Sequence, residues 1–340
     1  MKKYKVGGLF SGVGGIELGF EKAGYKIAWS NEFNKNACIT YRHNFKKHLL
    51  IEDDMYNIID NNFIHDNKNL DEIDILVGGF PCQAFSIAGY RKGFEDTRGN
   101  LFFAIKKFIA RFQPKAFMLE NVKNLYGHDN GNTFKRIYNE LDQLGYSVLF
   151  KVLNTAKYST IPQNRERIFI IGFKDESDWN DKKHFSKESV CSNSFDFPSK
   201  MNYTKSIEDI IEKTDLDDIY YYTKEKSYMY DLLFESIKSR KTTYQWRRKY
   251  VRENKSGLCP TLTANMGTGG HNVPLILDYK NKIRKLTPKE CFSFQGYGKS
   301  FKLPELANSH LYMQSGNSVT VPLIKRIATQ IKVALDSKYS

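Results

Sequence analysis

Cysteine is scarce in this chain: five residues, at positions 38, 82, 191, 259 and 291, with no C-x-x-C pair. An odd number of widely spaced thiols argues against a disulfide framework and against a structural zinc site, so no metal is expected. Long apolar runs are missing too. Nothing approaches the ~20 residues that cross a bilayer, and the start, Met1-Lys2-Lys3-Tyr4, carries no signal-peptide stretch. A soluble, cytoplasmic protein with no membrane contact is therefore expected, in which a reactive thiol would stay reduced. No internal repeat is found. Acid is in short supply: 38 Asp and Glu stand against 52 Lys and Arg, a formal charge of +14.

What is present is a globular composition, 41% hydrophobic and 14% aromatic over 340 residues, enough for two domains. A polyanionic partner is the simplest reason for the excess of base. The distribution supports it. Between Lys238 and Lys255 eight basic residues, Arg247 and Arg248 among them, oppose the single acid Glu253, with Tyr244, Trp246 and Tyr250 interleaved. Arginine mixed with aromatic side chains suits phosphates and base faces.

Residues 1–174 alternate short apolar runs with helical patterns, the signature of an α/β fold built on a mostly parallel, doubly wound sheet. The expected strands are 6–10, 25–29, 73–77, 116–119, 147–153 and 167–173. Expected helices cover 16–23, closed by Gly24, then 101–112, and 133–144, closed by Gly145. From about Lys174 the texture turns polar, then acidic, then basic and aromatic. The segment from Thr261 to Gly270 alternates and then becomes glycine-rich, which reads as strand and loop. A helical pattern returns in the tail.

Four places carry chemistry. Residues 79–86, Gly-Phe-Pro-Cys-Gln-Ala-Phe-Ser, follow the apolar run ending at Val77 and put Cys82 on a turn beyond a strand's carboxyl end, where open α/β sheets place their sites. Phe10-Ser11-Gly12-Val13-Gly14-Gly15 links the first strand to the first helix, and Glu32 lies 20 residues after Gly12. That spacing suits a carboxylate on a ribose. Because the pattern is G-x-G-G rather than G-x-G-x-x-G, a single nucleoside-type cofactor fits better than a dinucleotide. Glu120 ends another apolar strand on the same rim and could bond a ring nitrogen. Arg165 and Arg167, at i and i+2 on an extended segment, would point to one face and fork a carbonyl or phosphate.

The ordered set Gly8-Leu9-Phe10-Ser11-Gly12-Val13-Gly14-Gly15, Gly79-Phe80-Pro81-Cys82-Gln83, Glu120-Asn121-Val122, Gln163-Asn164-Arg165-Glu166-Arg167, Arg284 to Cys291, and Gly316-Asn317-Ser318-Val319 resembles the motifs of the bacterial DNA cytosine-C5 methyltransferases. The resemblance covers essentially the whole chain. It implies a Rossmann-like, S-adenosylmethionine-dependent catalytic domain over 1–185, a smaller target recognition domain over 186–283, a hinge region over 284–310, and a return to the catalytic domain over 311–340. It implies Cys82 as the nucleophile, Glu120 on the cytosine ring, and Arg165 and Arg167 on its carbonyl and the nearby backbone. S-adenosylmethionine would meet Phe10, Ser11, Gly12, Val13, Gly15, Glu32, Phe33, Asp54, Met55, Pro81, Leu101, Asn317 and Ser318. Duplex DNA would meet Ser86, Arg98, Arg247, Arg248, Thr261, Gly269 and Gly270, with residues 86–98 closing over it.

Three positions depart from that pattern. Gly8 stands where the family commonly has Asp, Phe33 where relatives often have Trp, and the Glu52-Asp53-Asp54-Met55 run leaves Asp53 and Asp54 both open as the cofactor contact. The same resemblance implies the modification half of a restriction-modification system, with a cognate endonuclease acting on the same site, and a monomer would suffice for one flipped base. A tRNA cytosine-C5 methyltransferase shares the catalytic set and is the alternative. The glycine turn by itself would also suit a nicotinamide-dependent oxidoreductase, and the basic surface a catalytically dead DNA-binding regulator.

Overall fold

The computed structural model describes residues 3–60, 70, 72–80, 101–174, 191–192, 195–247 and 249–339. Pro81, Cys82, Ser86, Arg98 and Arg248 lie outside the described residues. The chain divides into two compact units: 1–153, 166–199 and 323–340 form the first, 154–165 and 200–322 the second.

The first unit is built on seven strands: β1 (Lys5–Leu9), β2 (Lys26–Glu32), β3 (Leu50–Glu52), β4 (Ile75–Gly79), β5 (Ala116–Val122), β6 (Tyr146–Asn154) and β7 (Glu166–Lys174). Their order across the sheet is β3-β2-β1-β4-β5-β7-β6. All six strands expected from the sequence are present, each within a few residues. The three-residue β3 was not expected, because Leu-Ile-Glu is too short to show an alternation. Strands β3 to β5 pair in parallel, whereas β7 runs antiparallel to β5, with Ala116 opposite Phe173 and Val122 opposite Arg167.

Successive strands run outward from β1 in one direction (β1, β2, β3) and from β4 in the other (β4, β5). The order therefore reverses between β1 and β4, and ligands of open α/β sheets bind beyond the strand ends at such a switch point. Here those ends are Leu9, which leads into the glycine turn, and Gly79, three residues before Cys82.

Helices cover the sheet through apolar faces spaced at i, i+3, i+4 and i+7. After α1 (Gly15–Lys22), α2 (Lys35–Asn44) and α3 (Met55–Asp60), α4 (Leu101–Phe112) buries Phe102, Ile105, Phe108 and Ile109. Then α5 (Asn132–Asp142) buries Phe134, Ile137, Tyr138 and Leu141. These join Trp29, Leu76, Phe117, Phe150 and Ile168 in one core. At full burial each large apolar side chain contributes roughly 1.5–3 kcal/mol.

The second unit holds a four-stranded sheet of β8 (Tyr244–Arg247), β9 (Tyr250–Glu253), β10 (Leu275–Leu277) and β11 (Ile283–Lys285), ordered β9-β8-β10-β11 with antiparallel pairings. The segment from Thr261 to Gly270, expected as strand and loop, holds no strand: it is loop around a 3₁₀ turn over Ala264–Gly267, and the two-residue strand Cys259–Pro260 ends just before it. Helix α6 (Pro288–Phe294) starts with a capping box between Thr287 and Glu290. Glu290 also takes both Nη atoms of Arg284, at 2.6 and 2.7 Å, in a fully buried pair. Helices α7 (Asn308–Asn317) and α8 (Val321–Tyr339) end the chain, and from Leu323 onward α8 belongs to the first unit. There a Cβ at Gly19 would stand 2.4 Å from Ile324, and Tyr25 donates to the Ala328 carbonyl at 2.9 Å.

Candidate active site

The first unit brings the glycine turn, Glu32 and Glu120 to the strand ends at the switch point. Phe10 and Gly12 both adopt left-handed backbone, at φ of 53° and 54°. A Cβ built on Gly12 meets nothing within 4 Å, so the turn faces open space. The backbone is pinned from below: Ser11 N–H donates to Asn31 O at 3.0 Å and Gly12 N–H to Glu32 Oε2 at 2.8 Å. Glu32 Oε1 accepts the amides of Phe33 (3.1 Å) and Asn34 (2.8 Å). Burial pushes the Glu32 carboxyl up from its ordinary value, while the Asn34, Gly12 and Phe33 amides pull it back. Beside it Phe33 is 66% exposed, an unusual presentation for a large apolar ring.

The alternative left open between Asp53 and Asp54 gains geometry. Asp53 Oδ1 is taken by the Asp54 amide (2.7 Å) and Asn57 Nδ2 (2.9 Å), which ties it to the start of α3. Asp54 Oδ1 accepts the Tyr56 amide at 2.9 Å, and its side chain is exposed. Ser11, Val13 and Met55 are buried. Leu101, half-buried, opens α4.

At the end of β4 the register sets Gly79 opposite Glu120. A Cβ on Gly79 would stand 3.2 Å from Glu120 Oε2, so only glycine leaves the carboxylate undisturbed. Arg167 Nε lies 3.1 Å from Glu120 Oε1, with both side chains largely buried. Burial lowers the Arg167 guanidinium from its usual range and the Glu120 charge opposes this. Asn121, given no role by the sequence reading, is buried and donates Nδ2 to the Phe80 carbonyl at 2.9 Å. It fixes the chain at the last described residue before Pro81-Cys82.

Among the described residues the two arginines engage different partners, although their spacing suggested a single face. Arg167 lies within β7, but Arg165 lies between the Gln163–Asn164 strand and β7, outside both. Strand alternation therefore does not govern it. In the second unit its Nη1 donates to Leu262 O at 2.8 Å and its Nη2 to Ser318 O. Both Nη atoms also reach Gly316 O at 3.4 Å. Thr261 Oγ1 donates to Asn164 O at 2.6 Å. Asn317 is exposed, and the Ser318 hydroxyl pairs with Tyr297 Oη at 2.6 Å. Arg247, Gly269 and Gly270 are exposed, the glycines at φ of 85° and 70°.

Glu17 is a second residue that no motif announced. It is 1% exposed, with the Ser11 and Ser30 hydroxyls beside its carboxylate, neither of them at full hydrogen-bond geometry. Its position explains one departure from the family pattern, because a Cβ on Gly8 would stand 2.2 Å from Glu17 Oε1. A side chain at position 8 and this carboxyl compete for one space. Burial pushes Glu17 up to about 7, offset in part by Ser11 and reinforced by the charge of Glu32. The folded protein thus holds a proton that the unfolded chain releases near its model value of 4.5. The associated stability is fully present below that value and is lost as pH rises through about 7, a loss of about 3 kcal/mol. Glu17→Gln should therefore match the parent in urea unfolding near pH 5 and exceed it at pH 8. Parallel stability profiles would show that Glu17 does not titrate this way.

Among the described residues no helix is long and apolar enough to cross a membrane, and no group of three or more His, Cys, Asp or Glu could hold a metal. Residues 4–333 match the family model described as C-5 cytosine-specific DNA methylase. The chain is 53% identical over 330 residues to the Type II methyltransferase M.Bsp6I of Bacillus sp. strain RFL6, covering 96% of this chain and 98% of that protein. It is 38% identical over 335 residues to the Type II methyltransferase M.HaeII of Haemophilus aegyptius, covering 96% and 92%. Among solved structures, Spodoptera frugiperda DNMT2 superposes with a TM-score of 0.71 at 19% identity, covering 98% of this chain and 100% of that one. Entamoeba histolytica EhMeth superposes with 0.69 at 17%, covering 99% of each. The latter two likenesses speak to the fold alone. With a switch-point site that gathers Glu32, Glu120 and Arg167, and a family match that spans nearly all of it, the chain belongs to the C-5 cytosine-specific DNA methylases.

Proposed function

We propose that the chain transfers a methyl group from S-adenosylmethionine to carbon 5 of a cytosine flipped out of duplex DNA, with Cys82 as the attacking nucleophile. The observation that carries the catalytic assignment is the buried Glu120–Arg167 pair, opposite Gly79 on the strand that leads to Cys82. As a member of its family the enzyme acts on cytosine in DNA, and the tRNA alternative is not favoured. The switch-point residues fit the cofactor: an open glycine turn, a buried carboxylate at ribose spacing, and an exposed aromatic ring for an adenine face. Glu32, Phe33, Asp54 and the backbone of residues 10–13 would hold it, with Leu101, Asn317 and Ser318. When bound, the cofactor supplies an electrophilic methyl group on a sulfonium sulfur.

Carbon 5 of cytosine is a poor nucleophile. Addition of the Cys82 thiolate to carbon 6 pushes the 5,6 electron pair toward carbon 5 and the ring nitrogen, so carbon 5 can attack the methyl group. Glu120 holds the ring nitrogen and amino group, and Arg167 orients Glu120 while facing the charge that builds on the carbonyl. Loss of the carbon-5 proton to a base then re-forms the double bond and expels the thiolate. A stacked duplex denies this geometry, so the base is extruded.

The second unit contributes Arg247, Thr261, Gly269 and Gly270 toward DNA, and Arg248 and the 86–98 segment belong to the same reading. The relatives are named Type II methyltransferases. We read this chain likewise as the modification half of a restriction-modification system in the cytoplasm. It would act as a monomer, and the cognate endonuclease would share its site without a direct complex. The boundaries 1–185, 186–283, 284–310 and 311–340 remain the proposed functional division. Incubation with labelled S-adenosylmethionine and unmethylated genomic DNA, then bisulfite sequencing, tests the reading. Label confined to cytosines in one short motif is expected; labelled tRNA with unlabelled DNA would overturn it.

A further inference from the structure

Arg165 is 3% exposed, and its Nη atoms donate to backbone carbonyls of two separate segments. One is Leu262, next to Thr261. The other is the Gly316–Ser318 bend, which brackets Asn317. Two residues earlier, Gln163 Oε1 accepts the Leu262 amide at 3.3 Å, so Gln163 and Arg165 grip Leu262 by its N–H and its carbonyl. The Thr261 hydroxyl completes the grip on the intervening Asn164 carbonyl. The two segments also touch directly. A Cβ on Gly316 would stand 2.2 Å from the carbonyl carbon of Thr263, next to Leu262.

We propose that Arg165 is a coupling residue: it ties the Thr261–Leu262 segment to the Gly316–Ser318 bend, so that DNA held at the first raises cofactor affinity at the second. The inference rests on the reading that Thr261 meets DNA and Asn317 meets the cofactor. A guanidinium suits the task. Its planar fork offers donors in fixed directions, so a displacement of one carbonyl is passed to the others, whereas a lysine ammonium on a flexible stem cannot hold both segments. Arg165 thereby acts through other residues and is a positioning residue, whereas Arg167 meets Glu120.

The test is the affinity for S-adenosylhomocysteine by calorimetry, with and without duplex containing the target site, in the parent and in Arg165→Lys. Coupling between sites typically amounts to about 5–150-fold in affinity. The parent should bind S-adenosylhomocysteine more tightly by a factor in that range when DNA is present. In Arg165→Lys that factor should fall close to 1, with the DNA-free affinity changed less than the factor itself. A purely structural role would weaken folding and leave the factor intact. Hydrogen exchange on the parent keeps the inference open to test if the variant does not fold: DNA alone should slow exchange at Asn317 and Ser318. An unchanged factor in the variant, or unchanged exchange in the parent, overturns the coupling. Parent protein that binds both ligands with no mutual effect also overturns it, but leaves the underlying site reading standing. Parent protein that binds neither ligand overturns that reading as well.

Discussion

Replacing Cys82 with serine should reduce kcat for methyl transfer by about 10⁴-fold or more, the scale seen when a nucleophile that works as part of a unit is removed. The reason is the ionisation of the attacking atom. A thiol needs only a modest lowering from about 8.5 to be thiolate at neutral pH, and its anion is intrinsically nucleophilic. A hydroxyl would have to surrender a far less acidic proton, and no base dedicated to that task stands among the described residues assigned to the site. Binding should survive, because the glycine turn, Glu32 and the second-unit residues proposed to meet DNA are untouched. The measurement pairs single-turnover methylation with S-adenosylhomocysteine and duplex affinities. Turnover near that of the parent would remove Cys82 from the mechanism.

The next largest effect is expected from Arg167→Ala. Glu120 is nine-tenths buried at its side chain and has Arg167 Nε at 3.1 Å. Removing the guanidinium leaves a buried carboxylate without its counter-charge, which typically costs 3–5 kcal/mol of stability. The same deletion removes charge stabilisation at the developing carbonyl anion, about 10²–10³ in kcat for one such donor. Arg167→Lys keeps the charge but not the planar fork, so it should recover most of the stability and little of the rate. Urea unfolding and steady-state kinetics separate the two. An alanine variant with kcat within threefold of the parent would contradict the role given to the pair.

Much of this was legible from local pattern. Buried parallel strands are continuous apolar runs, which is why Ile75 to Val77 and Ala116 to Leu119 announced β4 and β5. The helix spacing of Phe102, Ile105, Phe108 and Ile109 placed α4 to the residue. The link between Glu32 and the glycine turn was legible from their spacing, and the structure bonds the Gly12 amide to its carboxylate.

The sequence fell silent where the cause was tertiary. Arg165 looked like a partner of Arg167 because i and i+2 share a face in a strand, yet the ladder begins only at Glu166. The carbonyls it binds come from residues about 100 and 150 positions away, at 97 and 151. Glu17 is the third residue of a helix, in the first turn where an acid is ordinary; that it is buried against Gly8 becomes visible only once β1 and α1 are packed. Asn121 was read as part of a motif, and its bond to Phe80 depends on the pairing of β4 with β5.

The central claim is a covalent bond between Cys82 and carbon 6 of the target base. It is tested most directly with a duplex whose target cytosine carries fluorine at carbon 5, incubated with enzyme and S-adenosylmethionine. Fluorine cannot leave as a proton does, so after methyl transfer the thiolate cannot be expelled. The account predicts a denaturation-resistant protein–DNA complex, methylated at carbon 5 and mapped by mass spectrometry to the peptide that contains Cys82, and absent from Cys82→Ser. Methylation of ordinary duplex without any trapped complex on the fluorinated one, or a complex mapped to another residue, would contradict it.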